Sequence, residues 1–210
     1  MWARAGAGVR VRFSVVVVAG SLALVGLAGC NSGSVTSPPA SSTDPTTTSA
    51  PAKSEIANPL NLSTFAANTC AGLADTQVSP YIGVPRQKNA SQQTNGPVCA
   101  VLGQNFDSPG LGVGVVNIGT PTEELLYESA QNAPWRQKIN PIGGYPAIDA
   151  AQAPSSREGD CATDAAVNGN QSLHVEFTQT NSAGPNYTTP CVVTEALMAN
   201  LIQNIKSGGS

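Results

Sequence analysis

The sequence predicts an α+β domain, a mostly antiparallel sheet of about five strands with helices packed on it and two disulfides. Three observations carry the prediction. Apolar runs are joined by links of hairpin length, one run alternates apolar and polar residues strictly, and helix-opening signals stand before, between and after the strands.

The segment before that domain has a different composition. Arg4, Arg10 and Arg12 give a positive start, Phe13 to Leu27 is mostly apolar, and Leu27-Ala28-Gly29-Cys30 closes it as a lipobox. An apolar run of roughly 15 residues is shorter than the ~20 a spanning helix needs, so residues 1–29 read as a lipoprotein signal peptide. Cys30 is then the lipidation site, and the membrane is met through lipid on Cys30, where two or more acyl chains hold and one does not. The expected location is the cell membrane, lipid-anchored on its extracytoplasmic side.

Residues 30–58 are Ser, Thr, Pro, Ala and Gly almost throughout and lack aromatics. Such a stretch buries too little surface to offset the entropy of ordering and reads as a tether, with a reach of about 30 Å as a coil and about 85 Å if extended. Cleavage would remove three of the ten basic residues and none of the thirteen acidic ones, leaving seven against thirteen. That sign excludes nucleic acid as the expected partner and excludes electrostatic docking on anionic lipid.

Residues 59–210 form one domain by size. Asp75 is expected to cap a helical turn that Pro80 and Gly83 end. Val98 to Gln104 and Leu111 to Ile118 read as strands, joined through Asn105 to Gly110 as a hairpin. Thr120-Pro121-Thr122-Glu123 reads as a capping box with proline at the first helical position, opening a helix that carries Leu125, Leu126 and Ala130 and stops before Pro134. Gly143 to Ile148 leads into a strand, and Cys161 to Val167 gives the next. In the last, Ser172 to Thr180, Leu173, Val175 and Phe177 alternate with His174, Glu176 and Thr178. Thr189-Pro190 opens a terminal helix with Val193, Ala196, Leu197, Leu201 and Ile205 on one stripe, ending at Lys206 and Gly208.

Cys70, Cys99, Cys161 and Cys191 are even in number and follow an export signal, which points to disulfides. Locality favours Cys70 with Cys99 and Cys161 with Cys191, closing two loops of about 30 residues; sequence alone does not choose among the possible pairings. A zinc site is not expected, since no two of these cysteines form a Cys-x-x-Cys knuckle.

The motifs Cys70-Ala-Gly-Leu-Ala-Asp-Thr-Gln-Val, Pro97-Val-Cys99, Ile142-Gly-Gly-Tyr-Pro-Ala-Ile, Asp160-Cys161 and Pro190-Cys191 together resemble an actinobacterial family of cell-envelope lipoproteins with a four-cysteine domain of unknown function. The resemblance spans the whole globular part. It implies an envelope lipoprotein with local disulfides, and it carries no catalytic residue to transfer. Val101 stands where members often have Trp, so no shared aromatic binding platform is implied.

The search for chemistry gives no catalytic residue, cofactor or metal site. His174 is the one histidine, lies on the polar face of a strand, and has no Gly-x-Ser-x-Gly nucleophile to serve. Glu124 and Glu128 share a helix face, and Asp160 and Asp164 flank Cys161. Gly110, Gly112 and Gly114 lack the spacing and the helix of a dinucleotide loop and read as a glycine-bearing strand, where a bulge or close backbone approach is the usual reason. Trp135 and Tyr145 are candidates to line a pocket, with packing over the sheet edge the commoner fate for Trp135. Two readings follow: a noncatalytic module that binds an envelope protein, glycan or lipid on the face its helices leave open, or an envelope hydrolase using an acidic pair.

Overall fold

The computed structural model describes residues 56–105, 107–119 and 122–208. The expected signal peptide, Cys30 and most of the expected tether lie outside the described residues, as do Thr120 and Pro121. Among the described residues no helix is long and apolar enough to cross a membrane.

The chain runs α1 (Ser63–Ala67), a 3₁₀ turn (Thr69–Ala71), α2 (Asp75–Ile82), β1 (Gln87–Gln93), β2 (Gly96–Leu102), β3 (Gly110–Asn117), α3 (Glu123–Ser129), β4 (Trp135–Ile142), β5 (Tyr145–Ala151), β6 (Asp160–Ala166), β7 (Gln171–Thr178) and α4 (Pro190–Lys206). The strands make one sheet of seven in the order β1-β2-β3-β7-β6-β5-β4. Every neighbouring pair is antiparallel. The expected mixed α+β class and antiparallel sheet hold, and the count of about five strands is corrected to seven. The two additional strands, β1 and β4, are the two edges.

Alternation along the strands sorts residues to the two faces. On one, Leu173, Val175 and Phe177 of β7 join Val113 and Val115 of β3, Cys99 and Val101 of β2, and Ala147 and Ala165 in the main core. Helix α4 closes this face over β6 and β7, and the N-terminal turns close it over β2. Helix α4 runs from Pro190, whose absent N–H costs nothing at a helix start. It buries Thr194, Met198 and Ile202 beside the expected Val193, Leu197 and Leu201, so its buried stripe is wider than the sequence reading. On the other face Leu126 of α3 packs with Ile148 and Ala166.

Three helix ends differ from expectation. Helix α2 starts after Ala74, whose N–H is taken by Gln77 Oε1 at 2.9 Å, while Asp75 pairs with Lys88 at 2.7 Å instead of capping. Pro80 lies inside α2 and does not end it. Helix α3 is capped by Thr122, whose Oγ1 accepts from the Leu125 N–H at 3.1 Å, two residues later than the Thr120 cap expected.

The disulfides are Cys70–Cys99 and Cys161–Cys191. The first fastens the 3₁₀ turn to β2, and the second fastens the start of α4 to β6. The Gly143-Gly144 turn joins β4 to β5 with φ of 61° and 93°, the two consecutive positive values of a tight hairpin turn. Just past it, the Tyr145 hydroxyl donates to the Asn58 carbonyl at 2.7 Å, and Lys206 Nζ lies 4.9 Å from the Tyr145 ring centre. Tyr145 thus ties the β4–β5 turn to the segment that precedes α1.

Candidate functional site

Among the described residues, two places bring polar side chains together. The first is the half of the second sheet face that α3 does not cover. Helix α3 sits over β4, β5 and β6, held there by the Lys138–Glu124 ion pair and by Arg136 stacked 4.5 Å from the Tyr127 ring centre. The register then sets Ala100 of β2, Gly112 and Gly114 of β3, His174 and Glu176 of β7, and Asp164 of β6 side by side on the bare half. A Cβ on Gly114 would come within 2.6 Å of Val98 Cγ1, whereas one on Gly112 would meet Glu176 no closer than 3.5 Å. Gly114 therefore admits a folded-over Val98, and Gly112 leaves floor space. A depression of about 160 Å³ lies here, bounded by Gln93, Val98, Ala100, Gly112, His174 and Glu176.

His174 is the centre of this strip. Its Nδ1 stands 2.9 Å from Asp164 Oδ1, directly across the β6–β7 ladder, and its side chain is 25% exposed. Burial works against the imidazolium; the charge and hydrogen bond of Asp164 outweigh it, with help from Glu176, and push the pKa up to about 9. His174 is thus a charged partner of Asp164 at neutral pH. A histidine held protonated is not a general base for catalysis.

The second place is the seam where α4 begins. The Asp149 side chain is on the core face of β5 and only 2% exposed. Thr163 Oγ1 lies 2.6 Å from Asp149 Oδ1 and 2.7 Å from Thr194 Oγ1, and the Thr194 hydroxyl donates to the Cys191 carbonyl at 3.0 Å. Burial, opposed by the Thr163 hydrogen bond and reinforced by the charge and hydrogen-bond contact of Glu195, raises Asp149 to about 7. An Asp149 oxygen and the sulfurs of Cys161 and Cys191 lie within 4.8 Å of one another. As a disulfide, those sulfurs are not metal donors. An opening of about 260 Å³ reaches this seam, lined by Trp135, Arg157, Asp149, Cys191 and Glu195 among others. Trp135 lines this opening, where the sequence reading favoured its packing over the sheet edge.

The acids picked out by sequence do not converge. Glu124 is held by Lys138, Asp164 by His174, and Asp160 accepts the N–H groups of Gln152 and Ala153 at 2.7 and 3.1 Å, clasping the β5–β6 loop. The pair that does meet is Asp149 and Glu195. The signal for Asp149 was its inward register with Tyr145, Ala147 and Ala151; for Glu195 it was its place one helical turn after Cys191.

Among known proteins, a family model described as "Protein of unknown function (DUF3558)" matches residues 25–204. No curated protein and no solved structure matches the chain.

Proposed function

We propose that this chain, which belongs to the DUF3558 family, is a lipid-anchored envelope protein of actinobacterial type whose domain is a noncatalytic module that binds a cationic partner on the bare half of its sheet. The carrying observation is the strip itself. Its register positions supply Asp164 and Glu176 against the single cation His174, which pairs with Asp164, the small floor of Ala100, Gly112 and Gly114, and no lysine or arginine. Half a sheet face without helical cover among the described residues, with Glu176 in excess of the His174–Asp164 pair and a shallow depression beside it, fits an amine or guanidinium group that completes the charge set. The lipobox ending at Cys30 and the tether after it support placement outside the membrane and at a distance from it.

The anchor is tested by mass spectrometry of the membrane fraction, with diacylglycerol expected on Cys30; an unmodified Cys30 or an intact Met1 terminus would remove it. Binding is tested by titrating the mature chain with a short lysine- and arginine-containing peptide and following amide shifts. Shifts confined to Ala100, Gly112, His174 and Glu176, with affinity reduced about tenfold by Glu176→Gln at low salt, are expected. Shifts scattered over other surface acids, or unchanged by that substitution, would sink the reading.

An acidic-pair hydrolase is the second reading, supported by the meeting of Asp149 and Glu195. Glycoside hydrolysis sets its two carboxyls about 5 Å or more apart on either side of the sugar. A pair in hydrogen-bond contact, with Asp149 enclosed, leaves no such space. Release of reducing ends from envelope glycan that disappears in Glu195→Gln would reverse this order.

A further inference from the structure

We propose that Cys161–Cys191 is a thiol–disulfide exchange centre, in which Cys191 is the sulfur met by an external dithiol and Asp149 is the acid–base partner of Cys161. Three features of the seam support it. Cys191 is the second residue of the 17-residue helix α4, where free N–H groups and the helix dipole stabilise a thiolate. Cys191 is 7% exposed and Cys161 only 1%, and Cys191, with Trp135 and Arg157 among others, lines the 260 Å³ opening whereas Cys161 does not, so approach favours Cys191. The Asp149 carboxyl lies within 4.8 Å of both sulfurs. Cys70 and Cys99 belong to no such cluster among the described residues.

The chemistry closes with a dithiol as the reductant. Its first thiolate, having lost a proton to solvent, attacks Cys191 Sγ; a new S–S bond forms, the Cys161–Cys191 bond breaks, and Cys161 leaves with the electron pair. Asp149 gives that sulfur its proton and regains one from solvent. The second thiolate of the reagent attacks its own sulfur in the mixed disulfide and releases Cys191 as a thiolate at the helix start. The dithiol ends as a disulfide and the protein as a dithiol, and the reverse sequence has Asp149 taking the proton from Cys161. The groups that set the Asp149 proton are Glu195 on α4 and Thr163 and Asp164 on β6, while Arg157 lines the same opening. Burial keeps the carboxyl protonated up to about pH 7, so the acid is available near neutrality.

The test places the oxidised mature chain in graded dithiothreitol, quenches with iodoacetamide and counts labelled peptides while circular dichroism follows the fold. Cys161–Cys191 is expected to open at least about tenfold faster than Cys70–Cys99 with the fold retained. A monothiol should be trapped on Cys191, and Asp149→Asn should slow opening about tenfold at pH 6 while flattening the rate profile, corrected for reagent thiolate, across neutrality. If Asp149→Asn fails to fold, the profile of the unaltered chain decides. Opening of both disulfides together only on unfolding, a mixed disulfide on Cys161, or a corrected rate that does not fall as pH passes neutrality would each overturn the proposal.

Discussion

His174 and Asp164 face each other across β7 and β6 with Nδ1 and Oδ1 2.9 Å apart, on the half of the sheet that none of the described helices covers. An antiparallel ladder makes directly opposed residues the closest side-chain neighbours, so a charge pair there is fixed by register and not by long flexible side chains. Glu176, two residues along β7 on the same face, adds a second carboxylate near the imidazolium.

The pair has a pH signature that one nucleus reports, because the chain has a single histidine. Its folded pKa of about 9 lies above the ordinary 6.5. The stabilisation is therefore fully present below about pH 6.5 and is lost as pH rises through 9. An NMR titration of the imidazole should give a midpoint near 9, and Asp164→Asn should drop it sharply, since burial then acts against the charge with only Glu176 to oppose it. The same substitution should cost about 1–2 kcal/mol at pH 6 and far less at pH 10, by denaturant unfolding. A midpoint near 6.5 in the unaltered chain would remove the pair from the argument.

The interior strands were legible because they are buried on at least one face: β7 shows the alternation of Leu173, Val175 and Phe177, and β2 and β3 are apolar runs. Both edges were not. Strand β1 reads Gln-Lys-Asn-Ala-Ser-Gln-Gln and is exposed almost throughout; it is a strand because it completes the ladder with β2, a backbone cause that leaves no apolar pattern. Polar, lysine-bearing edges also resist pairing with other chains. Strand β4 carries Pro141 and a register shift between Ile139 and Ile142, which break its period. The acid pair was hidden for another reason. Asp149 and Glu195 belong to a strand and a helix remote in sequence, and only the docking of α4 on the sheet, fixed by Cys161–Cys191, brings them together.

The turn between β4 and β5 separates two effects of glycine. Gly143 has φ of 61°, and a Cβ there would lie 2.9 Å from Ile202 Cγ2 in the core, whereas Gly144 has φ of 93° with open space beside it. Gly143→Ala meets both strain and a packed neighbour and should cost about 2–3 kcal/mol; Gly144→Ala meets strain alone and should cost about 1 kcal/mol. Paired urea melts measure the difference, and equal losses would show that Ile202 moves aside freely.

Removing the Cys70–Cys99 bond should destabilise without changing the fold. Its loop spans 29 residues, and releasing it restores chain entropy to the unfolded state worth about 3–4 kcal/mol. The double substitution Cys70→Ala and Cys99→Ala should lower the unfolding free energy from urea melts by that amount while His174 keeps its raised titration. Loss of the histidine shift in the same variant would show that the 3₁₀ turn supports the far face of the sheet as well.

Asp149 gives the prediction of opposite outcome, a substitution that stabilises. Its folded pKa of about 7 stands above the ordinary 3.8. Below about pH 4 both states are protonated and the group is neutral in its effect. Between 4 and 7 the folded state keeps a proton that the unfolded state has lost, so its share of stability falls as pH rises, and above 7 an enclosed carboxylate remains beside Glu195. Asp149→Asn keeps an acceptor for Thr163 and removes the charge. It should leave stability at pH 4 nearly unchanged and raise it at pH 8 by on the order of 2 kcal/mol. Urea melts at the two pH values measure this, and a variant less stable than the unaltered chain at pH 8 would show that the Asp149 carboxylate is held by favourable contacts and not burdened by burial. A gain at pH 8 would mean that the seam beside Cys161–Cys191 carries an acid at the expense of stability, as a group kept for proton transfer does.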